Sequence, residues 1–303
     1  KILVVGGTGF IGYNLLKETN RRGLSCTSIS LNAPIDFRRV ENVNYVFADI
    51  TNKSELKRKI RDDYDYVVNL GGYPDHNLLK KGGEKIIKNH FEAVINLIKA
   101  TSSKNLKKFI QIGSSDEYGK VQAPQSEIIR EKPISPYSVA KTASTHLIQM
   151  LHRTERFPGV ILRPFLIYGP GQKKDRLIPY VISKSLKNEN FEVSSGKQVR
   201  DFLHIDDAVD AIFLSLKEDT VNGKIINLGS GDPRSVRSVI ELIVKKIGLG
   251  NPLYGDFKIR KGENLELYPN LELAKKILNW ESKINFELGL KNLINYYRTL
   301  REC

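Results

Sequence analysis

A doubly wound α/β fold on a parallel sheet is what this chain of 303 residues predicts, from three observations. The apolar run Ile2-Leu3-Val4-Val5 leads into Gly6-Gly7-Thr8-Gly9-Phe10-Ile11-Gly12 and then into a stretch of helix formers. A parallel strand covered on both faces reads as such a run, so this is a strand, a glycine turn and a helix. Apolar runs and helical stretches then alternate through residue 165, the pattern of a sheet wrapped by helices on both faces. The length also leaves room for a second, smaller domain.

Taken in order, strands are expected near 2–5, 25–30, 44–47, 65–69, 108–113 and 159–163, with helices between them. The first helix, over 13–22, presents Leu15 and Leu16 on the side of Ile11. Glycines at 6, 9 and 12 let the backbone turn tightly, approach a pyrophosphate and seat the helix on the strand. Their spacing, GxxGxxG, is one residue longer at the front than the common dinucleotide fingerprint. Phe109-Ile110-Gln111-Ile112 reads as a strand, and Gly113-Ser114-Ser115-Asp116-Glu117-Tyr118-Gly119 follows it. Ligands of open parallel sheets bind beyond the carboxyl ends of the strands, so Ser114 is placed to hydrogen-bond a reacting oxygen. The plainer alternative is a turn made of Ser, Asp and Gly.

Pro133 and Pro136 precede a helix running from Tyr137 to about His152. Tyr137 and Lys141 are four residues apart and share a face of it. An ammonium close to a phenol favours phenolate, typically by ~1–3 pKa units. Such a tyrosine can exchange a proton with a hydroxyl or ketone near neutral pH. With the glycine turn, this pattern points to a nicotinamide-dependent enzyme.

Composition narrows the class. Residues AVILMFWYC make up 40% of the chain, enough for an ordinary core, and no run approaches the length of a membrane span. The chain starts on a strand rather than a leader peptide, so no membrane partner is expected. Cys26 and Cys303 are the only cysteines, which argues against a disulfide scaffold and for a reducing cytoplasm. The net charge of +14 is spread over lysines such as those in 104–108, 173–174 and 245–246, without interleaved aromatics. That reads as a solvated surface able to steer an anionic substrate, not as a nucleic-acid site.

On these motifs the chain resembles the extended short-chain dehydrogenase/reductases that act on nucleotide sugars: epimerases, 4,6-dehydratases and 4-keto reductases. Further segments carry the resemblance. Phe47-Ala48-Asp49-Ile50 matches the adenine-contacting loop, and Asn69-Leu70-Gly71-Gly72 stands where the family usually has His-Leu-Ala-Ala. Asn89 matches the asparagine that opens the long helix after it. Leu162-Arg163-Pro164 through Gly171, Arg200-Asp201-Phe202 through Asp207, Asn227-Leu228-Gly229-Ser230-Gly231 and Arg260-Lys261-Gly262-Glu263 follow in the family's order.

The resemblance implies a Rossmann domain over 1–170, to which 201–230 return. It implies an interleaved substrate domain from 171–200 and 231–303, with the site in the cleft between. Ser114, Tyr137 and Lys141 are then the catalytic set. Gly6, Thr8, Gly9, Phe10, Ile11, Gly12, Asp49, Ile50, Leu70, Gly71, Gly72 and Asn89 join Tyr137 and Lys141 around the cofactor. No metal takes part. The partner is a nucleoside diphosphate sugar, contacted by Ser115, Asp116, Arg200 and Arg260, although either arginine could instead serve an internal salt bridge. A homodimer is expected through the helices 84–103 and 137–153. Val94, Leu97 and Ile98 on the first, and Ala143, Leu147 and Leu151 on the second, are apolar at helical spacing.

Two finer points rest on single positions. An acid at the end of the second strand would bind a ribose 2′-hydroxyl; its absence leaves room for a 2′-phosphate. Here the strand ends Thr27-Ser28-Ile29-Ser30-Leu31-Asn32. Ser30 and Asn32 are offered to that phosphate and Arg38, Arg39, Arg21 or Arg22 to its charge, so NADP(H) is favoured. The alternative is NAD with Asn32 on the free ribose. The 4,6-dehydratases carry Thr-Asp-Glu-Val-Tyr-Gly after the fifth strand. Counted back from Gly119, Ser115 and Asp116 take the places of their Asp and Glu, and Glu117 that of the valine. A shifted alignment would keep Asp116 and Glu117 as the acid–base pair. On the first count, residues 113–119 look more like the Gly-Ser-Ser-Glu-Glu-Tyr-Gly of 4-keto-6-deoxy-sugar reductases, and Leu166, where a diphosphate-contacting asparagine is usual, fits a specialised enzyme. The resemblance thus favours NADPH-dependent reduction of the C4 ketone of a nucleotide-linked 4-keto-6-deoxy hexose. A 4-epimerase retaining NAD, a 4,6-dehydratase and, last, a non-catalytic NADP-binding protein are the alternatives.

Overall fold

The computed structural model describes residues 1–61, 63–102, 104–255 and 262–302. Arg260 and Cys303 therefore lie outside the described residues.

Seven parallel strands form the central sheet: β1 (Ile2–Val5), β2 (Cys26–Ser30), β3 (Val43–Phe47), β4 (Tyr66–Asn69), β5 (Lys108–Ile112), β6 (Gly159–Pro164) and β10 (Ile225–Leu228). Their order is β10-β6-β5-β4-β1-β2-β3. The chain steps outward from β1 to β3, then crosses to β4 and proceeds the other way. The crossover opens a crevice beyond the carboxyl ends of β1 and β4. β1 is an unbroken apolar run because helices cover both faces, whereas β2 is buried with small polar residues in it and the edge strand β3 is only partly covered. One apolar core gathers Ile2, Val4, Leu15 and Leu16 of α1 (Phe10–Arg21) with Ala208, Ile212 and Phe213 of α7 (Ile205–Lys217). The opposite core joins Leu3, Val5 and Phe109 to Val94 and Leu97 of α4 (Ala93–Thr101) and Ile148 of α5 (Pro136–Glu155).

A second body of structure is built from α6 (Leu177–Leu186), α8 (Val236–Ile247) and α10 (Phe286–Glu302), around a core that includes Ile178, Val181, Val239, Ile243, Leu290 and Leu293. The small sheet of β7 (Leu166–Tyr168), β9 (Val199–His204), β11 (Pro233–Ser235) and β13 (Glu266–Leu267) lies beside it. Residues 201–204 pair with β7 and β11, Leu203 joins the large sheet's core, and α7 then covers that sheet.

The helix expected over 84–103 begins at Gly83 and is interrupted. α3 (Gly83–Ile87) passes through a π turn at Lys88–Glu92 before α4. Asn89 thus lies within this helical stretch rather than opening it. No helix among the described residues is long and apolar enough to cross a membrane.

Candidate active site

The glycine turn forms the floor of the crevice. Gly6 has φ +80°, which excludes most side chains, and a Cβ on Gly12 would collide with the Gly6 carbonyl. Gly9 is the N-cap of α1, and no side chain caps the first turn. The leading N–H groups of α1 are thus offered to an anion, with the helix dipole behind them. Thr8, Phe10 and Ile11 are half-buried around this turn. The cradle fits a dinucleotide pyrophosphate.

Neighbouring strand ends supply the walls. After β3, the carboxylate of Asp49 accepts the Thr51 N–H and hydroxyl, both at 2.8 Å, and Asn96 of α4 holds the Ile50 and Thr51 carbonyls. After β4, the Asn69 carboxamide accepts the Gly71 N–H at 3.0 Å and donates to Gln111 at 2.8 Å. Leu70, Gly71 and Gly72 follow, with Gly72 exposed at φ +95°.

A Cβ on Gly72 would enter the ring of His90, a buried residue of the π turn. Its Nε2 lies 2.9 Å from the Tyr73 carbonyl and must be the donor, so the ring is the neutral Nε2–H tautomer. Burial holds its pKa down to about 3, with the charge of Lys141 acting the same way. The ring stands edge-on to Tyr137 at 4.9 Å, and His76 does the same from the other direction at 5.6 Å. Neither histidine was identified from sequence. The visible signal for His90 was the glycine pair standing where alanines are usual.

Ser114, Tyr137 and Lys141 converge here. Ser114 caps the short turn after β5, its Oγ accepting the Asp116 N–H at 3.1 Å, and its hydroxyl lies close enough to the Tyr137 phenol to lower its pKa. Pro136 starts α5 and Ser135 caps it, fixing Tyr137 and Lys141 on the buried face. The expected acidification of the phenol by Lys141 is not what the geometry gives. Lys141 donates to the Ile112 carbonyl at 2.7 Å, with its ammonium 6.0 Å from the Tyr137 ring centroid. Burial raises the phenol above its ordinary range, and the carboxylates of Asp116 and Glu117 add to the rise. The Ser114 hydroxyl and the charge of Arg176 oppose it. Lys141 is lowered to about 8 by burial, with Glu117 opposing. Arg176, exposed at the start of α6, is a cation from the second body of structure that sequence reasoning missed.

Several expected binding residues are turned to other partners. Ser115 is buried within the capped turn. Asp116 is about one-third exposed and faces His76, with 3.5 Å between Oδ2 and Nε2. Glu117 is fully buried against Arg163 at 2.7 Å, so the shifted alignment that would aim it at a sugar does not match the fold. Arg200 donates to Glu263 at 2.6 Å and to the Leu265 and Asn264 carbonyls, which is the internal salt bridge rather than an open diphosphate clamp. The Ser30 hydroxyl accepts the Thr8 N–H at 3.3 Å, while Asn32 is exposed. Arg38 is buried and bridges the Thr8 carbonyl at 3.2 Å to the Gly171 carbonyl at 2.5 Å. It ties the glycine turn to the loop leading into the second body of structure instead of facing a 2′-phosphate.

Comparison with known proteins fits this architecture. The model of the NAD dependent epimerase/dehydratase family matches residues 2–229. The UDP-glucuronate 4-epimerase of Thermodesulfobacterium geofontis is 27% identical, covering 97% of this chain and 95% of its own. The dTDP-glucose 4,6-dehydratase of Xanthomonas campestris is 26% identical, covering 98% and 93%. Among solved structures, UDP-glucuronic acid 4-epimerase from Bacillus cereus, in complex with UDP-glucuronic acid and NAD, superposes with a TM-score of 0.89 at 26% identity over 99% of both chains. With the family's matched span covering most of its length, the chain belongs to the NAD dependent epimerase/dehydratase family of nucleotide-sugar enzymes.

Proposed function

We propose that this protein is a nucleotide-sugar 4-epimerase that retains NAD, rather than the NADPH-dependent reductase favoured by motif comparison. The observation that carries this is the convergence of Ser114, at the end of β5, with Tyr137 and Lys141, on the buried face of α5, beside the dinucleotide cradle, in a chain similar along its whole length to a UDP-glucuronic acid 4-epimerase solved with NAD. Of the groups offered to a 2′-phosphate, Ser30 and Arg38 are occupied in holding the glycine turn, which supports NAD over NADP. The burial of Ser115 and Glu117 leaves Asp116 without a second acid, which supports epimerisation over dehydration.

The glycine turn and the open end of α1 would hold the pyrophosphate, and the 70–72 loop would line its nicotinamide side. When bound, the oxidised nicotinamide supplies a reversible two-electron acceptor and a positive charge, which opposes the burial that keeps Tyr137 protonated. As phenolate, the form that charge favours, Tyr137 would take the proton of the C4 hydroxyl as C4 is oxidised and return it when C4 is reduced from the other face. Ser114 hydrogen-bonds the same oxygen, and Lys141, anchored on Ile112, carries positive charge beneath it. Asp116 and His76 lie at the rim, next to where the sugar ring would sit. The net charge of +14 steers the anionic substrate toward the cleft.

The test is direct. Protein purified without coenzyme is denatured, and the released nucleotide is identified by chromatography. NAD should be found, and UDP-glucose or UDP-glucuronate should be converted to its C4 epimer with nothing added. Turnover only of a 4-keto-6-deoxy sugar, and only with added NADPH, would overturn the proposal.

A further inference from the structure

Glu117 lies next to the reacting groups without facing them. Its side chain is fully buried, as is that of Arg163. Oε2 accepts Nε and Nη2 of Arg163 at 3.0 and 2.7 Å and the Thr145 hydroxyl at 2.7 Å. Oε1 accepts the backbone N–H of Ser114 at 2.8 Å. One carboxylate thus joins the Ser114 turn, α5 through Thr145, and β6 through Arg163. Tyr137, Lys141 and Thr145 follow one another at intervals of four residues, so they form one stripe along α5. The same Nη2 of Arg163 also donates to Glu131 at 2.5 Å, and the guanidinium lies over the Tyr118 ring.

A buried ion pair is a poor device for stability alone, since desolvation of both charges offsets their attraction and apolar groups of similar volume fill such a space as well. The dehydratase motif quoted above carries valine at this position. What a charged pair adds is geometry: two charge-assisted bonds from one guanidinium onto Oε2 fix the carboxylate, and the carboxylate fixes whatever donates to it.

We propose that Glu117 is a positioning residue that sets the placement of Ser114 against Tyr137, with Arg163 as its anchor and Thr145 as its tie to the catalytic helix. This role rests on the proposed chemistry at Ser114 and Tyr137. It also gives Lys141 its nearby negative charge, the other groups facing that ammonium being Tyr137 and His90.

Three variants test it, with Tyr137→Phe as control. Thr145→Val removes one donor to the carboxylate and preserves shape. It should lower kcat about tenfold, because displacement of a reacting group by a fraction of an ångström to one ångström costs up to about a hundredfold. KM should change less than about twofold, since ground-state binding is untouched. Thr145→Ser keeps the hydroxyl and should restore kcat. Glu117→Gln turns an amide donor toward Arg163 or Ser114 and should lower kcat further. It also removes the charge that supports Lys141, so the alkaline limb of the pH–rate profile should move to lower pH. Thr145→Val should leave that limb in place. If Thr145→Val and Glu117→Gln fold with wild-type kcat and pH profile, the pair is inert packing and the proposal fails. If Glu117→Gln does not fold, the Thr145→Val and Thr145→Ser comparison decides alone. If Tyr137→Phe retains full turnover, it is the proposed function that has failed.

Discussion

Gly72→Ala should be among the most damaging exposed substitutions in this protein, and most of the damage should depend on His90. Two costs are separable. At φ +95° an L-residue is strained, by about 1–2 kcal/mol. The new Cβ would also enter the His90 imidazole, and overpacking against a buried ring costs about 1–3 kcal/mol. The ring cannot swing aside cheaply, because its Nε2–H is bonded to the Tyr73 carbonyl and Tyr137 packs against it at right angles. The sum is about 2–5 kcal/mol, large against the stability of an ordinary domain. His90→Ala removes the obstacle and leaves only the backbone strain. The double mutant should therefore be more stable than additivity allows by about 1–3 kcal/mol. Urea unfolding of the four proteins measures this, with m-values compared to check that the unfolding reaction is unchanged. Additivity within about 0.5 kcal/mol would refute the reasoning and mean that the 72–73 loop moves away from the ring.

Other outcomes follow from the same geometry. Tyr137→Phe should bind cofactor normally and lose turnover by ~10²–10⁴-fold, read from steady-state rates. His90 has a folded pKa near 3 against an ordinary 6.5. The unfolded chain thus binds the extra proton across that window, and stability should fall as pH drops from about 6.5 toward 3, by at most about 1.4 kcal/mol per unit. His90→Gln should flatten this limb in denaturation midpoints measured at each pH; an unchanged limb would assign it to other groups. Sedimentation at micromolar concentration should show a dimer. Val94, Leu97 and Ile98 are buried within the fold, so the contact falls to the outer face of α5, where Val139 and Met150 are exposed. Met150→Asp should give a monomer, and a dimer unaffected by it would place the interface elsewhere.

The parts of the fold legible in the sequence were those encoded locally. Ile2–Val5, and Phe109–Ile112 apart from Gln111, are apolar because both sheet faces are covered, and the glycine turn announces itself by residues no other position would need. Tyr137 and Lys141 were found through one helical turn of spacing. What could not be read were partners distant in the chain. Arg38 meets a carbonyl 133 residues away, Arg200 a carboxylate 63 away and Glu117 a guanidinium 46 away. Whether an arginine faces a ligand or closes an internal network is decided by those partners. The same holds for Asp116 and Glu117, adjacent in sequence: one lies at the rim of the cleft and the other is sealed beneath it. The acidity of Tyr137 was misjudged because the spacing of Lys141 says nothing of the Ile112 carbonyl that draws its ammonium away.

The central claim is reversible oxidation at C4 by a cofactor the protein already holds, with Tyr137 moving the proton. Proton NMR of UDP-glucose or UDP-glucuronate, incubated with the purified protein in deuterated water and no added coenzyme, tests it most directly. The C4 epimer should appear with protium retained at C4, and Tyr137→Phe should abolish the change. A 4-keto-6-deoxy product, or no change until NADPH and a 4-keto sugar are supplied, would contradict it.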